Sequence, residues 1–179
     1  MIIAIVILIV ALIILFWGIG VSNTLNRYQV KINEAKSSVE IMLNKRYDVL
    51  TQSQAVVAKF IQHENELFSL TQPTSDANIE SINKIASEQS KAYAQFVALG
   101  QKYPDLKSAP AFTTLQNQIS DENEHFAASK RAYNSNISSY NQLAVSFPDS
   151  IIAGIKGKAE QEFIKEDDIE AKKDIKIEF

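Results

Sequence analysis

Glu122-Asn123-Glu124-His125 carries a Glu-x-x-His spacing, which puts a carboxylate and an imidazole on one face of a helix, as in di-iron carboxylate bundles. A complete site of that kind needs a second such motif and two further glutamates from other helices. The other histidine, His63, has no glutamate three residues before it, although Glu64 follows it directly. The pattern therefore assigns His63, Glu64, Glu122 and Asn123 to a hydrogen-bonded polar layer, with no metal site and no cofactor. No Gly-rich phosphate loop or nucleophile-base pair accompanies them, so the chain is not expected to be an enzyme.

Three further groups of polar residues fall on apolar stripes. Arg46 occupies a seam position, and a buried guanidinium without a partner is costly, so an acid such as Asp48 or Asp105 is expected beside it. Tyr133-Asn134 and Tyr140-Asn141 lie seven residues apart on a stripe of large side chains, where their polar atoms need partners once covered. They are expected to satisfy neighbouring groups in the seam or, in the sharper alternative, to form a recognition surface.

The elements that position these groups are helices. Phe112, Ile119, Phe126, Tyr133, Tyr140 and Phe147 recur every seventh residue, the signature of a helix seam facing a partner helix. A second seam runs from Leu25 through Ile32, Val39, Arg46, Ser53 and Phe60 towards Leu70, and no Gly or Pro interrupts it before Pro73. It predicts one unbroken helix to about residue 72, with Thr74-Ser75-Asp76 capping the next. That next helix should run from about 77 to 102, burying Ile82, Ile85, Gln89, Tyr93 and Phe96. The linker 103–110 holds Pro104 and Pro110, with Ser108 placed to cap the aromatic helix. Asp149 or Ser150 then caps a short helix broken by Gly154 and Gly157. If successive helices alternate in direction, the first and the aromatic helix run parallel, Arg46 lies level with the linker, and Glu122 lies near His63.

Residues 2–17 are all Ile, Leu, Val, Ala, Phe or Trp, and no charge appears before Arg27. That stretch is long enough to cross a bilayer core. Its flanks lack the basic start and small-residue cleavage pattern of a signal peptide. Lys and Arg follow the span at Arg27, Lys31, Lys36, Lys45 and Arg46 and do not precede it, so the amino terminus is expected outside and the bulk domain in the cytoplasm. The chain reads as an all-α protein: a transmembrane anchor at 1–22 continuing into a long antiparallel three- to four-helix bundle at 23–157, then a charged tail at 158–179. A net charge of −3 argues against a nucleic-acid partner, which demands a concentrated basic face. With no cysteine, disulfides and thiolate chemistry are excluded.

The run from Glu122-Asn123 through Lys130-Arg131-Ala132-Tyr133-Asn134, then Tyr140-Asn141, then Phe147-Pro148-Asp149-Ser150-Ile151-Ile152-Ala153, resembles the signature of the LemA family of bacterial membrane proteins. Leu43-Asn44-Lys45-Arg46-Tyr47-Asp48, His63-Glu64, Tyr103-Pro104-Asp105-Leu106-Lys107 and the Ile175-Lys176-Ile177-Glu178-Phe179 ending add to the likeness, which covers nearly the whole chain. An apolar residue is more usual in the family where His125 stands, a departure that argues further against metal. The resemblance implies a single N-terminal span, a long helical bundle and a bacterial cell membrane, with the amino terminus outside.

Two function classes follow from these readings. The first is a scaffold, a homo-oligomer whose bilayer-anchored stalks self-associate to organise the membrane or its complexes. The second is a membrane-tethered adaptor or sensory accessory protein that binds an unidentified protein partner through its tail or through the 103–110 linker.

Overall fold

The structure, a computed structural model, describes residues 1–61 and 68–165. These form five helices and no strand: α1 (Ile2–Val57), α2 (Ile79–Lys102), α3 (Pro104–Ser108), α4 (Pro110–Val145) and α5 (Asp149–Ile155). His63, Glu64 and most of the charged tail lie outside the described residues. Two compact units divide the chain, one of Met1–Lys36 with Arg131–Phe163, the other of Ser37–Lys130 with the residues from Ile164 onward.

In the first unit α1 begins with residues 2–16 exposed on every side. From Val21 it buries Leu25, Ile32 and Ala35, while α4 contributes Tyr133, Ile137, Tyr140 and Ala144. Lys31 accepts a hydrogen bond through its carbonyl from Asn136 Nδ2 at 3.4 Å, and Thr24 and Tyr28 line a groove with Ser139, Gln142, Leu143 and Ser146. Later residues of α4 therefore meet earlier residues of α1, so the two helices run antiparallel. Phe147 departs from the expected seam. It is 83% exposed because α4 ends at Val145 and the turn before α5 carries it off the stripe. α5 starts after Pro148 with no side-chain cap from Asp149 or Ser150, and Gly154 lies inside it. Gly157 ends it, at φ 62°, with Gly157 N–H donating to Gly154 O at 3.1 Å and Lys158 N–H to Ala153 O at 3.0 Å. This paired closure needs the left-handed conformation that glycine adopts without a Cβ clash.

In the second unit α1 buries Val39, Leu43, Arg46, Leu50, Ser53 and Val57. Five heptad positions stay covered from Leu25 to Ser53, but the companion positions move from Ala35 to Leu43, Leu50 and Val57, leaving Met42, Val49 and Val56 half-buried. An α-helix of 3.6 residues per turn drifts about 20° per heptad against a 3.5-residue repeat, so a long helix exchanges one flank of its seam for the other. α1 stops at Val57, well short of the expected 72, and Lys59 and Phe60 close tight turns onto Val56 and Val57. Phe68 then packs with Leu50, Val57 and Phe96, and Gln54 Nε2 donates to the Phe68 carbonyl. Tertiary burial of Phe68 overrides a helical pattern that has no local breaker.

The chain from Phe68 to Asn78 is irregular, with a turn at Ser75–Asp76. Non-helical chain advances more than twice as far per residue as a helix, so this short stretch returns to the level of mid-α1. Asn78, rather than Thr74, Ser75 or Asp76, caps α2 by accepting from Ser81 N–H at 2.8 Å. As a result α2 runs parallel to α1: Gln89 meets Leu43, while Phe96 and Leu99 share a cluster with Leu50 and Val57. α4 returns antiparallel, with Phe112 and Leu115 in that cluster and Phe126 beside Arg46. The expectation of parallel first and aromatic helices is therefore corrected, because the return segment takes the place of a helix. The linker is corrected too: it folds as α3 with Leu106 buried, and Ser108 Oγ donates back to Asp105 O at 3.0 Å instead of capping α4.

Candidate functional site

Asn141 on α4 is half-buried, and its amide makes a reciprocal pair with the backbone of Gln161. Asn141 Nδ2 donates to Gln161 O at 2.9 Å and Gln161 N–H donates to Asn141 Oδ1 at 2.8 Å. A side-chain amide offers one donor edge and one acceptor edge, so it can treat a neighbouring residue's backbone as a strand would. Two turns earlier, Tyr133 Oη donates to Glu162 O at 3.2 Å. Together they hold residues 161–162 against α4 in the first unit. In the second unit the same segment continues with Ile164, which is 1% exposed, and with Lys165 N–H donating to Asn83 Oδ1 at 3.0 Å.

Tyr140, at the next heptad, is fully buried and its Oη has no hydrogen-bond partner among the described residues. Asn134 is half-buried and Arg131 is exposed. Burial, and after it the Glu162 carboxylate, hold the Tyr133 phenol above its usual range, and burial does the same for Tyr140. An unfolded tyrosine ionises near pH 10, about its unperturbed value. Both groups stay protonated in the folded chain beyond that point, so the stability they hold is complete below about pH 10 and falls as pH rises from there towards their folded values. The melting temperature is thus expected to drop more steeply above pH 10 for the parent than for Tyr133→Phe/Tyr140→Phe. Parallel curves would show that neither phenol is shielded.

The Asn141→Ala substitution removes both bonds to Gln161. Net hydrogen-bond contributions of roughly 0.5–1.5 kcal/mol each put the loss at about 2 kcal/mol. Amide exchange at Gln161 should accelerate well before the helices open. Unchanged protection there would mean that the segment is held by something else.

In the second unit Arg46 is 3% exposed. Its guanidinium donates to Ser90 Oγ at 3.2 Å and lies 4.7 Å from the centre of the Phe126 ring, which Lys130 also approaches at 5.6 Å. Asp48 and Asp105, the acids named as candidates beside it, are both exposed. Asp48, two residues on along the helix, leaves on the opposite side. Asp105 lies in α3, beside Leu106 of the cluster that includes Leu50 and Val57. Gln89 is fully buried and donates to the Leu43 carbonyl at 2.9 Å.

The Glu122 Oε2 and Asn123 Oδ1 atoms are buried without a hydrogen-bond partner among the described residues, whereas Glu124 and His125 are exposed. Among the described residues no group of three or more His, Asp or Glu side chains is arranged to hold a metal ion. Ser90 and Asn83 were not signalled in advance, because a small polar residue on a helix reveals its role only when its neighbour is known. The partner of Tyr133 and Asn141 carries no sequence signal at all, since it is backbone.

A family model described as LemA family matches residues 35–179. Protein LemA of Metamycoplasma hominis is 26% identical over an alignment of 144 residues that covers 77% of this chain and 66% of that relative. The chain thus spans just under two-thirds of the relative's length.

Proposed function

The chain belongs to the LemA family, and from that premise we propose that it is a single-pass, membrane-anchored helical scaffold whose copies self-associate in a bacterial cell membrane. The observation that supports this reading is that Tyr133 and Asn141 use their polar groups to tie down the chain's own segment at 161–162. On this reading the polar groups of Tyr133 and Asn141 serve the domain's own packing. The apolar start of α1 has a window of mean hydropathy 3.4, none of it buried by the rest of the chain. It supplies the anchor, with the amino terminus outside by the charge asymmetry that follows it.

Anchoring confines copies to two dimensions and raises their effective concentration, so weak lateral surfaces suffice for assembly. Ile41 and Phe60 in the second unit and Val30 in the first remain exposed and are available for such contacts. The rival adaptor reading draws on the exposed Asp105 and Lys107 of the linker. Crosslinking in native membranes separates the two. A scaffold is recovered mainly with itself, at a yield that falls when residues 1–22 are removed. An adaptor is recovered with one other protein in fixed ratio, and that outcome would displace the scaffold.

A further inference from the structure

Phe147, Ile151 and Ile155 are spaced four apart and are 83%, 51% and 77% exposed. Four-residue spacing keeps Ile151 and Ile155 on one side of α5, near the exposed Gly154, and Phe147 and Pro148 are exposed in the turn that leads into it. The opposite side of α5 is the covered one. Ala153 is buried, a Cβ added at Gly18 would lie 3.3 Å from Ile152 Cδ1, and Lys156 Nζ donates to Ser22 Oγ. All of these residues belong to one compact unit.

We infer that α5 is an interfacial element that lays Phe147, Ile151 and Ile155 into the lipid at the boundary where α1 leaves the membrane. The inference rests on the reading of α1 as a membrane span. A hydrocarbon core of about 30 Å takes about 20 helical residues, and residues 2–21 supply that length. Gly18 and Ser22 then mark the boundary, and α5 packs directly on them. Its outward face is held at the depth where amphipathic helices bury their apolar side by about 5–10 Å. Trp17, half-exposed beside Gly18, is a residue type that settles at the same level. In water three such large side chains exposed together would be a liability. Against the acyl boundary they anchor the foot of the bundle and fix its tilt. A second copy is the other occupant that chemistry allows, but to reach this face it would have to displace lipid continuous with that around the span.

Because the chain has no cysteine, single labels test this directly. Full-length protein carrying a nitroxide at Ile151→Cys or Ile155→Cys, with Glu124→Cys and Ile9→Cys as references, is reconstituted in phosphatidylcholine and phosphatidylglycerol vesicles. Accessibility is then measured to a water-soluble nickel chelate and to oxygen. Labels at 151 and 155 should show several-fold lower access to nickel than the label at 124, with oxygen access raised as it is at 9. Nickel access equal to that at 124, while 9 stays lipid-exposed, overturns the interfacial role and leaves the span intact. Protection from both reagents at 151 and 155 overturns it in favour of a second copy. Nickel access at 9 as well would bring down the span reading itself.

Discussion

Leu106→Ala is expected to lower bundle stability by about 3 kcal/mol, in the middle of the range for leucine truncations that leave a cavity. Leu106 sits in the short α3, yet it is fully buried in a cluster with Leu50, Val57, Phe96 and Phe112. It closes the end of the second unit where α2 hands the chain to α4. The short helix can relax towards the space left behind, which keeps the loss below the upper end of the range. Chemical denaturation of the parent and the variant gives the value. The same measurement bears on function, because the linker is the adaptor reading's docking surface. A variant with unchanged stability would show that Leu106 is dispensable to the core and would return the whole segment to the list of recognition elements.

Gly100→Ala is expected to cost about 2 kcal/mol, within the usual penalty for forcing extra volume into a packed core. The added Cβ would lie 2.2 Å from Phe112 Cζ and 2.9 Å from two more ring atoms. That ring is itself fixed by Phe96, with centroids 4.6 Å apart. Alanine is the better helix former by about 1 kcal/mol, but a buried ring pressed from two sides cannot yield as a flexible chain would, so the clash wins. Reducing the ring with Phe112→Leu in the same chain should recover part of the loss. If Gly100→Ala alone were stabilising, the close approach of α2 and α4 at this point would be wrong.

Much of this architecture can be read from spacing. The stripes of α1 and α4 identify Leu25, Ile32, Val39, Ile119, Phe126, Tyr133 and Tyr140 as buried, as the structure has them, because a repeat of seven specifies a helix face wherever the helix lies. Direction was not legible. It depends on the end of α1 at Val57, set by Phe68 returning to the core, and a distant aromatic leaves no mark on the residues where the helix stops. The neighbours of Arg46 follow from that direction: its side chain meets Ser90 on α2 and Phe126 on α4. At the candidate site, the need of Tyr133 and Asn141 for partners follows from their place on an apolar stripe. The identity of those partners does not, since the carbonyl of Glu162 and the amide of Gln161 are common to every residue type.

The most direct test of self-association is the mass of the full-length protein in mild detergent, by light scattering with the detergent contribution subtracted, over a range of protein concentrations. The scaffold reading predicts a discrete multimer that persists on dilution and loses subunits when residues 1–22 are removed. A monomer at every concentration, with the span intact, would contradict it and make capture of a different protein the function to pursue.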